Sequence, residues 1–246
     1  MMIDNQTFTI LDAVESTNNY AMAKAHEGLA VHGQAWFARD QWGGKGQRGN
    51  MWVSAKDENI IMTIILKPDK LFRTNMFLFN AVVACTCHQF SSKISGQTTY
   101  IKWPNDIYFN DRKAGGILIE NIFSHTEWLW AVIGIGLNVN QINFGPDNIN
   151  ATSLRTVCSQ IFNPIELAKK LHELLLANFK EISNVGEDFY FDYYNKQLYK
   201  KNETVKLKKE NIIFSTFIKE VNKQGQLITY DAYERQFNSG EIKWLL

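Results

Sequence analysis

The segment Gln41-Trp42-Gly43-Gly44-Lys45-Gly46-Gln47-Arg48-Gly49-Asn50-Met51-Trp52 sets four glycines among amide and cationic side chains. That composition suits an anion. Glycine lacks a Cβ, so its backbone can take positive φ and bring N–H groups against a phosphate, while Lys45 and Arg48 add charge. Gly44, Gly46 and Gly49 satisfy G-x-G-x-x-G, but the dinucleotide-binding fingerprint needs a strand before the loop and a helix opening from it. Residues 35–39 read as that strand, whereas residues 59–66, after the loop, form an apolar β-branched run without helical period. A kinase loop lacks its downstream His-Arg-Asp and Asp-Phe-Gly here, and a Walker A loop would need Ser or Thr where Gly46 follows Gly44-Lys45. Taken alone, the segment also suits a plain Gly-rich hairpin connection.

A second polar stretch begins at Lys102-Trp103-Pro104-Asn105-Asp106 and continues through Arg112-Lys113-Ala114-Gly115-Gly116-Ile117-Leu118-Ile119-Glu120. It reads as strand, tight turn, strand. Asp106 opens one strand and Lys113 lies just past the next turn, so a carboxylate and an ammonium can face one pocket. A carboxylate suits Mg²⁺ and an ammonium suits a phosphoryl oxygen. By themselves, Asp106 is equally an Asx-turn residue and Lys113 a solvated hairpin lysine.

The elements that would position these groups follow from periodicity and punctuation. Helices are predicted over 19–27, 75–94, 164–182 and 187–195, and strands over 35–39, 60–66, 100–102, 107–109, 114–122 and 127–141. The last two strands form a long antiparallel hairpin closed at Ser124-His125. Gly134 and Gly136 sit inside a strand pattern, where glycine costs stability unless something approaches the backbone closely; a ligand or tight packing would explain them. A boundary falls near 196–201, dividing the chain into 1–197 and 198–246. Beyond it, short alternating runs at 204–208, 212–221, 226–230 and 240–246 suggest a small barrel. Lys200, Lys201, Lys206, Lys208 and Lys209 make it locally basic, either as a solvated strand face or as a docking surface for an acidic carrier protein.

Composition narrows the class. With 246 residues, 45% hydrophobic, and a formal net charge of +1, the chain reads as a soluble globular protein and not as a general nucleic-acid binder. No apolar run reaches membrane-spanning length, and residues 1–14 carry acids where a signal peptide carries cations, which predicts a cytoplasmic protein. Three cysteines give no disulfide framework. Cys85, Cys87 and His88 fall on a buried helix, where they read as core rather than as metal ligands. The zinc-hydrolase motif H-E-x-x-H and the serine-hydrolase motif G-x-S-x-G are both absent.

Ser16-Thr17-Asn18, the Gly-rich loop, the Lys102–Asp106 motif, Arg112 to Glu120, Gly134-Ile135-Gly136-Leu137-Asn138-Val139-Asn140 and Ala151-Thr152-Ser153-Leu154 occur in the order seen in biotin protein ligases. From Ile10 to the C-terminus, where Phe237-Asn238-Ser239-Gly240-Glu241-Ile242 matches the last strands, the chain resembles a bacterial biotin-[acetyl-CoA-carboxylase] ligase. The resemblance implies an α+β fold: a mixed, largely antiparallel sheet flanked by helices, of the biotin/lipoate ligase and class II aminoacyl-tRNA-synthetase-like type. A small C-terminal SH3-like β barrel follows it. Also implied is two-step, AMP-forming chemistry. Biotin and ATP give biotinyl-5′-AMP, and a specific lysine of a biotin carboxyl carrier protein then takes the biotin.

The same resemblance assigns residues. Lys113, Asp106 and Arg48 are the catalytic expectation, with Mg²⁺ on Asp106. Biotin is expected on Ser16, Thr17, Asn18, Gln41, Lys45, Gly46, Gln47, Lys113, Gly115 and Gly116. ATP and the adenylate are expected on Gly44, Lys45, Gly46, Gln47, Arg48, Gly49, Trp52, Asn105, Lys113 and Asn138. Lys45, Gln47 and Asn50 stand where relatives frequently carry arginine, which implies weaker retention of the adenylate, because neither lysine nor glutamine makes arginine's charged bidentate contact. Only fifteen residues precede Ser16, too few for a winged helix-turn-helix, so the expectation is a monofunctional ligase without DNA binding, free of membrane, and a monomer or weak homodimer. The alternatives are a lipoate or octanoyl ligase of the same fold and a non-catalytic biotin-adenylate-binding module.

Overall fold

Ile60-Ile61-Met62-Thr63-Ile64-Ile65-Leu66 are all buried, as a strand must be when its sheet is covered on both faces. In the computed structural model, which describes residues 7–245, this strand is β3 (Ile60–Leu66) near the middle of a seven-stranded sheet. The others are β1 (Phe8–Leu11), β2 (Ala35–Ala38), β4 (Thr99–Lys102), β5 (Asp106–Phe109), β6 (Arg112–Ser124) and β7 (Glu127–Leu137). Their order is β1-β2-β3-β7-β6-β5-β4, with β1 and β2 parallel and the remaining pairs antiparallel.

Helices cover the two faces unequally. On one lies α1 (Thr17–His26), whose Ala21 packs with Trp36, Ile65 and Val132. On the other, α3 (Met76–Ser95), α5 (Pro164–Val185) and α6 (Glu187–Lys196) bury the alternate residues Phe37, Ile64 and Ile133 in the main core. Two short helices, α2 (Lys70–Thr74) and α4 (Leu154–Cys158), complete this part.

Five further strands, β8 (Thr204–Lys209), β9 (Ile212–Val221), β10 (Leu227–Tyr230), β11 (Glu234–Phe237) and β12 (Lys243–Leu245), form an antiparallel sheet in the order β11-β10-β9-β8-β12. Its architecture fits a small SH3-like unit. Asn195 fastens it to α6 by donating to the Val221 carbonyl and accepting from the Val221 N–H, at 2.8 and 2.7 Å. The Trp103 indole donates to the Gly225 carbonyl at 2.9 Å.

Differences from the sequence expectation have local causes. Helix α1 starts at Thr17 because Ser16 caps it, accepting the Asn19 N–H. Strand β7 ends at Leu137, short of the predicted Gln141, because the side chains around Asn138 bond to loops instead of continuing the ladder. Asn59 accepts the Val139 N–H, and Asn140 donates to the Phe162 carbonyl. Strands β1 and β11 and helices α2 and α4 are too short for a period to register.

Cys85, Cys87 and His88 all lie buried on α3. Burial pushes the Cys87 thiol up to about 12, and the His88 ring nitrogens meet the Tyr193 hydroxyl and the Thr99 carbonyl at 3.0 and 2.9 Å. His172 on α5 contacts the Gly33 carbonyl at 2.7 Å. Burial holds both imidazoles below their ordinary 6.5 despite those carbonyls. The unfolded chain protonates them near 6.5 and the folded chain does so only at lower pH, so their stabilisation is complete above 6.5 and lost on acidification below it. The melting temperature should therefore fall between pH 6.5 and the carboxylate range, and a His88→Gln/His172→Gln variant should show a flatter profile there. An unchanged slope would count against the assignment.

Candidate active site

The strand register builds the floor of the site. Lys102 pairs with Asp106, Asp106 with Gly116, Gly116 with Gly136 and Gly136 with Ile61, which makes one row running across β4, β5, β6, β7 and β3. Residues of one row share a face of the sheet. Two positions along, Leu118, Gly134 and Thr63 form the next row on that face. The three-residue turn Trp103-Pro104-Asn105 joins β4 to β5 and sets Lys102 directly opposite Asp106. Above these rows lies a cavity of about 490 Å³, walled by the N-terminus of α1, the Gly-rich loop, β4 to β7 and the turn and strand around Gly240 to Trp244.

Glycine is required where protein side chains descend on this floor. A Cβ on Gly134 would run into the Asn18 amide, and one on Gly136 into the Trp52 indole. The close approach anticipated at these glycines is thus made by Asn18 and Trp52. Gly44 is equally confined, between the Trp52 carbonyl and the Gln41 amide.

At one end the wall is neutral and polar. Gln41 Oε1 accepts from the Thr17 N–H at 2.8 Å, and Thr63 Oγ1 lies 2.8 Å from Thr17 Oγ1 and 2.6 Å from Asn18 Oδ1. Glu120 Oε2 accepts from Asn18 Nδ2 at 2.8 Å, which fixes the orientation of that amide. Ser16, Thr17, Asn18 and Gln41 are all buried. Towards the other end the wall is cationic. Lys113 Nζ sits 2.7 Å from Asp106 Oδ1 and 5.9 Å from the centre of the Trp52 ring. Asp106 is the sole acidic residue lining the cavity among the described residues, against Lys45, Arg48, Lys102, Lys113 and Lys243.

The loop itself is tied at two points near its middle. Lys45 Nζ donates to Asn19 Oδ1 at 2.6 Å, while Arg48, in the left-handed region at φ 58°, donates from Nη2 to Ser239 Oγ at 2.9 Å. That second bond reaches from the loop to the connection between β11 and β12. The Trp52 indole N–H is buried with no hydrogen-bond partner among the described residues.

Of the anticipated site residues, Ser16, Thr17, Asn18, Gln41, Lys45, Gly46, Gln47, Arg48, Trp52, Asn105, Asp106, Lys113 and Gly116 come together on the cavity wall. Four do not. Gly115 points to the opposite face, where a Cβ would meet the Gly136 carbonyl and Leu137, because neighbours along a strand alternate. Asn138 is buried behind the site, its amide donating to the Thr152 carbonyl at 2.9 Å. Gly44 and Gly49 shape the loop without lining the cavity. Conversely, Lys102, Lys243 and Trp244 line it and were not anticipated. The signal for Lys102 was its place opposite Asp106 across a short turn. Nothing local marks the other two. Among the described residues no group of three or more His, Cys, Asp or Glu side chains could hold a metal, and no helix is long and apolar enough to cross a membrane.

Residues 10–138 match the Biotin/lipoate A/B protein ligase family. The chain belongs to that family. Among curated members it is 34% identical over 170 residues to the bifunctional ligase/repressor BirA of Bacillus subtilis, covering 68% of this chain and 50% of that protein. It is 33% identical over 140 residues to the biotin-[acetyl-CoA-carboxylase] ligase of Paracoccus denitrificans, covering 53% of each. The chain spans about half the length of these curated relatives. Among solved structures, the biotin protein ligase of Aquifex aeolicus in complex with biotin and ATP superimposes with a TM-score of 0.80 at 22% identity, over 97% of this chain and 98% of that one. The fold shared with that ligase therefore extends over both sheets.

If Asn18 and Trp52 require bare backbone beneath them, Gly134→Ala and Gly136→Ala should each lower stability by about 1–3 kcal/mol, the usual cost of overpacking a filled site. Chemical denaturation measures this directly, and native stability in both variants would refute the close approach.

Proposed function

We propose that this chain is a biotin protein ligase, which activates biotin with ATP to biotinyl-5′-AMP and transfers the biotin to a lysine of a biotin carboxyl carrier domain. The observation that carries the reading is the polarity of one cavity. Its amide-and-hydroxyl end at Ser16, Thr17, Asn18 and Gln41 continues, on the same sheet face, into a cationic end centred on Lys113. A neutral ureido ring suits the first and a polyphosphate the second. Family membership and the relatives' names support it.

In this reading the biotin carboxylate attacks the α-phosphorus, the bond to pyrophosphate breaks, and a mixed anhydride forms. The amine of the carrier lysine then attacks the acyl carbon and AMP leaves. Bringing a carboxylate up to a polyphosphate requires positive charge held in place beforehand, and Lys113 supplies it. Lys45 and Arg48 lend further charge, and the loop that carries them keeps water from the anhydride. Magnesium fits as a companion of the nucleotide, because Mg²⁺ commonly takes one or two carboxylates and completes its shell with phosphate and water. Asp106 would hold it and the ion would neutralise developing phosphate charge. The chain divides functionally into 1–197, which carries the chemistry, and 198–246, which closes the cavity.

An end-point assay with ATP, Mg²⁺, an apo biotin-carrier domain and either biotin or lipoate, read by mass shift, tests the assignment. Labelling by biotin alone is expected. Labelling by lipoate alone would move the chain to the lipoyl branch of the family, and no labelling with no pyrophosphate release would favour a non-catalytic adenylate-binding module. Lys113→Ala should lose about 100-fold or more of pyrophosphate release at unchanged melting temperature, and near-native release would remove Lys113 from its role.

A further inference from the structure

Lys102 occupies an unusual position for an ammonium. Its side chain lies half-buried in the cavity wall, with Nζ 5.1 Å from the centre of the Tyr108 ring and 5.5 Å from the centre of the Trp244 ring. It forms no ion pair or hydrogen bond among the described residues. The carboxylate of its cross-strand partner Asp106 is already engaged by Lys113.

A cation drawn partly out of water without a paired anion is destabilised, and a cation–π contact returns only part of that loss. Two aromatic faces therefore hold the charge without satisfying its three donors. Burial lowers the Lys102 pKa, Asp106 opposes that shift and Lys113 adds to it. An arriving anion would remove the penalty. The wall around Lys102 carries an excess of positive charge, so an anion is what the cavity as a whole favours.

Trp244 comes from elsewhere in the fold. It sits on β12 opposite Leu207 of β8, and its ring packs 6.0 Å from that of Tyr199, which in turn lies 5.1 Å from Tyr108. Tyr108 and Trp244 thus flank the Lys102 ammonium with Tyr199 packed between them, and the register of the five-stranded sheet fixes Trp244.

We propose that Lys102 contacts a phosphoryl oxygen of the bound nucleotide, and that Trp244 is the positioning residue that holds its ammonium towards the cavity. The proposal rests on the nucleotide half of the function given above and not on the biotin half. A purely structural lysine, filling space between rings, would be replaced by methionine without effect on anion binding.

Calorimetric titration of the full chain with inorganic pyrophosphate, ATP and biotin separates these cases. Lys102→Met should weaken pyrophosphate and ATP by about tenfold or more, the scale of one charge-assisted contact, and leave biotin affinity within about twofold. Trp244→Leu should weaken the same two anions about fivefold, and Trp244→Phe, which keeps a ring, should retain most of the affinity. In the Lys102→Met background Trp244→Leu should add nothing, because a residue acting through Lys102 has nothing left to act on. Should Trp244→Leu fail to fold, Lys102→Met and Trp244→Phe still decide.

Native affinity for pyrophosphate and ATP in Lys102→Met overturns the proposal, as do full additivity of the two substitutions and a native protein that binds neither anion. Failure of the ligase reading is distinct. A native chain that binds pyrophosphate through Lys102 yet neither binds biotin nor labels a carrier keeps this inference and loses that reading.

Discussion

Glycine in the interior of a strand gives up roughly 0.5–1 kcal/mol relative to alanine, and β6 and β7 carry it at Gly116, Gly134 and Gly136 on a single face. The stability forgone there is what allows the start of α1 and the end of the Gly-rich loop to rest on bare backbone. With ordinary side chains at these positions, the Asn18 amide and the Trp52 indole would stand off the sheet. The polar network through Thr17, Thr63 and Gln41 and the stacking of Lys113 towards Trp52 would move with them. The cavity is thus defined by absent side chains more than by any that are present.

Upon this floor the charges are sorted by register. A short turn and an antiparallel ladder place Lys102 opposite Asp106, and Lys113 reaches back to the same carboxylate from β6. One acid among five cationic side chains leaves the wall positive, and the far end is a neutral network of hydroxyls and amides. The single face therefore carries two kinds of wall along its length. Strand register sets the charged row, while the start of α1 and the Gly-rich loop supply the neutral end.

Much of this was legible in the sequence, for identifiable reasons. Strand β3 announces itself because burial on both faces makes it uniformly apolar, and α3 and α5 because they are long enough for pattern to accumulate. Ser16-Thr17-Asn18, Asp106 and Lys113 could be singled out because each lies within a compact motif. Gly115 was grouped with Gly116 because adjacency in sequence conceals alternation in space, and Asn138 because the point where β7 leaves the ladder depends on partners such as Asn59 and Thr152. Lys243 and Trp244 were invisible for a stronger reason. Their relevance is created by docking one sheet against another, through contacts such as Asn195 with Val221 that no local pattern encodes.

The bond from Arg48 to Ser239 joins residues 191 positions apart. A ribosome synthesising this chain delivers the whole seven-stranded sheet, the helices on its far side and every motif around Lys113 before the partner of Arg48 exists. Contacts of such long sequence separation form late. The nascent protein accordingly passes through a stage with a formed floor and a loop held only from the Asn19 side, and the cavity gains its last wall only when translation has reached the final strands.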